Sequence, residues 1–132
     1  MKAEELMIGD WLFYKGQVAA FPFKVEQITK KKVGYHAEPN EHRMHYLRLS
    51  ECKPIPLTAE MLSELGFKKK GNRYGIYDDY FDFEMHEYND GIWVVSYHCC
   101  EMSLPDEQLL ICYIHQLQHF MRHCGIEKTI EL

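Results

Sequence analysis

Residues 81–97, FDFEMHEYNDGIWVVSY, decide the fold class. Apolar and polar residues alternate over the first half of this stretch, which is typical of a strand with one buried face. Residues 89–91, Asn-Asp-Gly, then separate it from a second apolar run, and Asp-Gly tolerates the positive φ angles of a type I′ turn. The stretch therefore predicts a β-hairpin in which Phe83 and Met85 share a buried face with alternate residues of the second strand.

The residues after this hairpin predict a long closing helix over approximately residues 105–124. Residues 103–106, Ser-Leu-Pro-Asp, have the form of a helix start with a proline in the first turn, and Gly125 suits the end. We expect Leu110, Ile114, Leu117 and Met121 to enter the main core. The full apolar arc on the helical wheel comprises Leu110, Tyr113, Ile114, Leu117, Phe120, Met121 and Cys124.

The residues before the hairpin predict a short helix and a further strand. Thr58 can cap a helix that ends at Gly66, and residues 74–77 read as a strand that extends the hairpin into a β-meander. Residues 53–56, Lys-Pro-Ile-Pro, are a stiff joint, because proline restricts its own backbone and that of the preceding residue. We expect two lobes, 1–53 and 54–132, packed as one compact unit.

The first fifty residues predict a small β-structure. Residues 11–14 and 18–21 are apolar β-formers on either side of a glycine turn, which indicates a hairpin. Pro22 is expected on an edge strand or a bulge, since it cannot donate a backbone hydrogen bond. Two more strands are predicted around residues 33–36 and 44–49. Their spacing is similar to that of SH3-like barrels, so the expected class is α+β, with an SH3-like barrel followed by a helix, a β-meander and a long closing helix.

Length and composition predict a compact globular protein. The chain has 132 residues, of which 46% are hydrophobic and 27% are charged. No apolar stretch approaches the ~20 residues that a membrane-spanning helix needs, and the N-terminus lacks the pattern of a signal peptide. Five cysteines without a Cys-x-x-Cys pair favour reduced thiols. We expect a cytoplasmic protein that does not bind membranes.

The distribution of charge disfavours nucleic acid as a partner. Residues 1–57 carry nine Lys or Arg against seven Asp or Glu, whereas residues 58–132 carry six against thirteen. Residues 74–107 contain nine acids and no Lys or Arg, and such a surface repels phosphate. Lysine triplets at 30–32 and 68–70, with tyrosines nearby, keep a nucleic-acid-binding accessory factor open as an alternative. The pI of about 5.9 favours solvated lysines at turns instead.

Four polar residues of the closing helix form the candidate interaction face: His115, His119, Arg122 and His123. On the helical wheel, the three histidines lie about 120° or more from Leu117, so they face away from the predicted core. A polar helix face of this kind is ordinarily solvated or in contact with a partner. We therefore expect a polar surface that binds no metal and is available to a protein partner.

A metal site is the alternative that this helix leaves open. Four metal-ligating side chains lie along one stripe of the predicted helix: Cys112, His115, His119 and His123. The ends of the stripe are ~16 Å apart at 1.5 Å per residue, so one ion would need further donors. The nearest in sequence are His98, Cys99 and Cys100. The metalloprotease motif also requires a general-base Glu after the first histidine, where this chain has Gln116.

Common catalytic signatures are absent from the sequence. There is no glycine-rich phosphate loop, no Gly-x-Ser-x-Gly elbow and no pair of Cys-x-x-Cys knuckles. Cys99 and Cys100 lie beside the acidic segment, and neighbouring negative charge raises a thiol pKa rather than lowering it. The sequence therefore predicts no cofactor and no catalytic residue.

Three segments together resemble a bacterial protein family. They are MKAEELMIGD at 1–10, PIPLT at 54–58 with LGF at 65–67, and YIHQLQ at 113–118. In this order they resemble a family of uncharacterised small proteins of Bacteroides-type gut bacteria, often encoded by prophages or mobile elements. The family has no established activity, so the resemblance implies no catalytic residue.

This chain departs from the family pattern after residue 118. The family usually continues into an asparagine-and-aromatic segment, where this chain has HFMRHC at 119–124. We therefore carry over no role for those positions. The resemblance and the missing catalytic signatures together predict a non-enzymatic accessory or protein-interaction protein of phage or mobile-element origin. A nucleic-acid-binding accessory factor and a metal-dependent enzyme are the alternatives.

Overall fold

The computed structural model describes residues 1–99 and 107–132. The chain divides into two compact units, Met1–Ile55 together with Leu132, and Pro56–Glu131. Within the described residues, strands predominate and two α-helices occur, so the mixed α and β composition is confirmed. The boundary after residue 53 and the single compact body stay predictions.

The N-terminal unit contains two three-stranded antiparallel sheets. The first has the order β2-β1-β6, and the second has the order β3-β4-β5. Leu12 lies opposite Phe23 in the first sheet, so the predicted glycine-turn hairpin is confirmed, although its second strand begins at Ala20 and not at Val18. The strands are β1 Trp11–Lys15, β2 Ala20–Lys24, β3 Gln27–Ile28, β4 Lys32–Tyr35, β5 His45–Arg48 and β6 Cys52–Pro54.

The predicted SH3-like barrel is not confirmed in this unit. The two sheets are separate and do not close into one ring of hydrogen-bonded strands. Pro22 lies on β2, an edge strand, where its missing N–H leaves no gap in the ladder. Residues from both sheets contribute to one buried cluster, which comprises Leu6, Leu12, Phe23, Val25, Val33, Leu49 and Cys52.

The C-terminal unit is built on a five-stranded antiparallel meander. Neighbours in the sheet are neighbours in sequence, in the order β11-β10-β9-β8-β7. The predicted hairpin is confirmed, and Met85 lies opposite Val95 with both side chains buried. Phe83 and Trp93 are buried as well, as expected for alternate positions on one face. The strands are β7 Lys68–Lys70, β8 Arg73–Tyr77, β9 Phe81–Asn89, β10 Ile92–Cys99 and β11 Glu107–Ile111.

The turn of this hairpin differs from the predicted type I′ turn. Gly91 has a φ of +77°, whereas Asp90 belongs to the described residues and does not have a positive φ. The register shifts at the same point, because Ile92 lies opposite Asn89 while Trp93 lies opposite Glu87. A single left-handed glycine followed by a bulge reverses the chain, so the backbone of Asp90 need not enter a strained region.

The short helix α1, Ala59–Glu64, is confirmed together with both of its predicted end signals. The Thr58 side chain accepts a hydrogen bond from the backbone N–H of Met61 at 3.3 Å. Gly66 has a φ of +88°, which suits the left-handed residue after a helix. Phe67 then packs into the core, 6.4 Å from Phe83 between ring centroids.

The predicted long helix over residues 105–124 is wrong in its first half. Helix α2 spans Ile114–His123, whereas residues 107–111 form strand β11. Leu110 was expected in the core and is instead 60% exposed. The proposed helix start at residues 103–106 lies outside the described residues. The second half is confirmed, because Ile114, Leu117 and Met121 are buried.

Hydrogen bonds just before α2 account for its late start. The backbone N–H of Leu57 donates to the carbonyl of Cys112 at 2.9 Å, which holds the chain extended there. The Gln116 amide oxygen accepts from the N–H of Cys112 at 2.8 Å and of Tyr113 at 3.1 Å. These N–H groups precede the first helical turn, so Gln116 fixes the point where the strand ends and the helix begins.

Candidate functional site

The histidine face of α2 differs from its prediction at the first residue. His115 was expected on a polar surface, but only 6% of it is exposed. Its ring stacks on Tyr113, with centroids 5.9 Å apart and planes 13° from parallel, and it meets His119 edge-on at 5.6 Å. Ile114 and His115 are both buried, so the first turn of α2 is covered on its polar side as well as on its apolar side. A helical wheel does not show this, because it does not indicate where the helix begins.

The other three residues of the predicted face become more exposed toward the end of the helix. His119 is half-buried, while Arg122 and His123 are exposed. The ring of His123 lies 6.5 Å from that of Phe120, so its polar surface adjoins the buried side of the helix. An interaction role for these residues stays a prediction, now limited to the last turn of α2.

The geometry also bears on the metal alternative. In the described residues, no group of three or more His, Cys, Asp or Glu side chains is arranged to hold a metal ion. Cys112 precedes α2, so the four predicted ligands do not share one helix. Cys100, one of the additional donors considered, lies outside the described residues. This part of the chain therefore gives the metal hypothesis no assembled ligand set.

Burial makes the Cys52 thiol a poor nucleophile. Cys52 lies at the start of β6 within the core of the N-terminal unit, and its thiol donates to the carbonyl of Arg48 at 3.4 Å. Burial, aided by the nearby Glu51 carboxylate, raises the pKa of Cys52 to about 11. At neutral pH the reactive thiolate form is therefore negligible, and the side chain serves packing.

A surface groove in the N-terminal unit lies beside the β1–β2 turn. Its volume is about 720 Å³, and it is open to solvent on one side. Eight residues line it, from the end of β1, the turn, and the start of β6: Tyr14, Lys15, Gly16, Gln17, Val18, Ala19, Glu51 and Lys53. We name this feature the turn groove.

The wall of the turn groove is formed by closely packed groups. A Cβ at Gly16 would clash with the Tyr14 hydroxyl, so glycine lets the turn approach this ring without displacing it. The Tyr14 ring also packs on Phe21, with centroids 5.3 Å apart. Interaction with the nearby Glu51 carboxylate is the main cause of the raised pKa of Tyr14. The contact with Phe21 positions the ring.

The two edges of the five-stranded sheet have opposite surface chemistry. Strand β7 consists of three exposed lysines, whose charge discourages pairing with another strand. Strand β11, at the other edge, exposes Leu109 by 47% and Leu110 by 60%. Within the described ranges, β11 pairs only with β10. Residues 108–111 of this strand carry no charged side chain, in contrast to the three lysines of β7.

Sequence reasoning missed both the turn groove and the β11 edge, although each had a local signal. Val18 is an apolar residue next to a glycine turn, and it is 99% exposed. Leu109 and Leu110 are adjacent leucines, and only one of the two can face the core in a strand. Propensity alone does not indicate what the side chains of either segment would cover.

Comparisons with known proteins returned no relatives. No family model, curated protein or solved structure matches this chain. In the ranges that the structure covers, no helix has the length and apolar character needed to cross a membrane.

Proposed function

We propose that the protein is a non-enzymatic accessory protein of phage or mobile-element origin, which acts in the cytoplasm by binding another protein. It binds an extended, apolar segment of that partner as an additional strand along β11. The observation that carries this proposal is the contrast between the lysine-guarded edge at β7 and the apolar edge at β11. The origin rests on the three segments that resemble the mobile-element family.

An edge strand offers a partner both backbone and side-chain contacts. Its outward N–H and C=O groups can continue the ladder, and each bond contributes about 0.5–1.5 kcal/mol net. Covering a largely exposed leucine such as Leu110 contributes up to about 1.5–3 kcal/mol. Val94 lies opposite Leu110 on β10 and is half-buried, so the apolar surface continues one strand inward. An apolar side chain of the added strand would contact this surface.

Charge favours a different protein over a second copy of this chain. Residues 58–132 carry six basic and thirteen acidic groups, so two copies paired along β11 would repel each other. A partner segment without acidic residues avoids this repulsion. The occupant we propose is therefore an extended segment of another protein, and self-association is an outcome that the test must detect.

The test is selection of binding segments from a displayed library of random ten-residue peptides, followed by affinity measurement with the intact protein. Leu110→Lys places a charge on the β11 edge, and we expect it to weaken selected peptides at least tenfold. Tyr88→Lys is the matched control, because Tyr88 is 69% exposed near the end of β9 and away from the edge. It should change affinity less than twofold. Circular dichroism verifies that both variants fold.

Four results would overturn the proposal. One is a library that yields no binding peptide, and another is a set of peptides that bind Leu110→Lys as tightly as the unmodified chain. A dimer in light scattering that Leu110→Lys dissociates would identify a second copy as the occupant. Salt-dependent binding of DNA or RNA without peptide binding would favour the nucleic-acid alternative.

A further inference from the structure

We infer that the turn groove binds an extended acidic segment of a protein, with carboxylate side chains on either side of an apolar residue. This site is in the N-terminal unit and does not depend on the proposed function of β11. Val18, Lys15 and Lys53 supply the contacts.

The charges that line the groove select for carboxylates. Lys15 and Lys53 are exposed on its wall, and Glu51 is the only acidic residue among the lining side chains. Two lysines therefore line the groove against one carboxylate. An incoming acid restores the balance, whereas an incoming base is repelled.

The register positions the two lysines for separate carboxylates. Lys53 lies opposite Phe13 on β1, and Lys15 lies two residues further along the same strand, opposite Ala20 on β2. Residues two apart on a strand point to the same face, so both lysines extend from one side of the sheet. The two lysines are therefore separated by two residues along the strand direction, and they lie on neighbouring strands, Lys15 on β1 and Lys53 on β6. A segment with acids at alternate positions in extended conformation can reach both lysines.

Shape and apolar surface supply the remaining contacts. The volume of about 720 Å³ lies within the range of ligand-binding pockets, and it accommodates a few side chains. Val18 is 99% exposed at the groove, so its apolar surface gains nothing from the fold of this unit. An apolar residue between two acids would cover Val18.

A nucleic acid fits this groove less well than an acidic peptide. Stable binding to a nucleic acid backbone uses many basic contacts, and the groove offers two lysines and one acid. The side chain of Val18 has no polar group that could form a hydrogen bond with a base. The chemistry of the lining therefore favours carboxylates on a peptide.

The experiment compares fluorescein-labelled peptides with the intact protein by fluorescence anisotropy. The probe is Gly-Glu-Leu-Glu-Gly, and the matched probes replace both Glu by Gln or by Lys. We expect the Glu peptide to bind at least tenfold more tightly than the Gln peptide, and the Lys peptide not to bind. Affinity for the Glu peptide should fall severalfold between 50 and 250 mM salt, because exposed charges are screened.

Variants with equal charge changes identify the groove. Lys15→Gln with Lys53→Gln should weaken the Glu peptide at least tenfold, while Lys68→Gln with Lys69→Gln, on β7, should change it less than twofold. Val18→Ala should weaken binding of the Glu peptide severalfold. Because Val18 is 99% exposed, this substitution should not unfold the protein. Leu110→Lys should have no effect, which separates this site from β11.

Three outcomes would overturn the inference. Equal affinity for the Glu and Gln peptides would show that the carboxylates do not contribute to binding. Equal losses in the groove and β7 variants would indicate attraction by overall charge alone. Tighter binding of an oligonucleotide with the same number of charges, lost in the groove variant, would assign the groove to nucleic acid.

Discussion

Strand β11 and helix α2 are separated by only two residues, Cys112 and Tyr113, yet their leucines occupy opposite environments. Leu110 is 60% exposed on β11, whereas Leu117 is completely buried on α2. The backbone of β11 is paired with β10, and its side chains lie at the edge of the sheet. The helix has internal backbone bonds and buries an apolar side against the core. Ile111 on the same strand is 1% exposed, so the alternation of side chains along the edge strand decides which of them remain available to a partner.

The largest expected difference between the two regions is in stability. Leu117→Ala removes a fully buried side chain and leaves a cavity, so we expect a loss of about 2–5 kcal/mol in the free energy of unfolding. Leu110→Ala removes an exposed side chain and should cost less than about 0.5 kcal/mol. Urea unfolding in a Trp11→Phe background measures both, since Trp93 then reports on the C-terminal unit alone.

Leu117→Ala and Leu110→Ala together test directly whether the two leucines occupy different environments. Similar losses in the two variants would mean that Leu110 is covered in solution, which would contradict an open β11 edge. A loss below about 1 kcal/mol for Leu117→Ala would contradict the core position of α2. The Trp11→Phe protein without a second substitution is the reference for both values.

A smaller effect is expected at the boundary between the two regions. The Gln116 amide oxygen accepts from the N–H groups of Cys112 and Tyr113, so Gln116→Ala leaves both without this acceptor. We expect a loss of about 1 kcal/mol by the same urea measurement. Gln116→Glu keeps an acceptor and places negative charge near a helix N-terminus, so it should retain most of the stability.

Gln108→Ala is the control for this boundary, because Gln108 is exposed on β11. Its loss should stay below about 0.5 kcal/mol. If Gln116→Ala and Gln116→Glu destabilise equally, the acceptor is not what determines the start of α2.

The parts of the fold that the sequence predicted correctly depend on local signals. The 81–97 hairpin has alternation in its first strand and a glycine turn, and α1 has Thr58 at its start and Gly66 after its end. The first half of the predicted closing helix failed because a long-range requirement prevailed. Strand β10 pairs with residues 107–111 on its second side, and no pattern within those residues indicates that partner.

The candidate site was less predictable than the fold for a similar reason. Burial of His115 depends on where α2 begins, which Gln116 and the pairing of residues 56–57 with 112–113 determine. The turn groove combines the end of β1 with the start of β6, which are distant in sequence. Only Val18 gave a local sign of it, as an apolar residue beside a glycine turn, although it was predicted to lie in the second strand of the hairpin.

The smallest expected effect tests the backbone state of each region through propensity. In a strand, threonine is favoured over alanine, so Leu110→Thr should be more stable than Leu110→Ala by up to about 1 kcal/mol. In a helix the order reverses, so Arg122→Ala should be more stable than Arg122→Thr by about 0.5 kcal/mol. Each difference compares two variants that both lose the original side chain, so contacts of Leu110 or Arg122 cancel. Urea midpoints measured at equal slopes give both differences. The same order at both positions would mean that β11 and α2 share one backbone conformation, and the contrast between them would then fail.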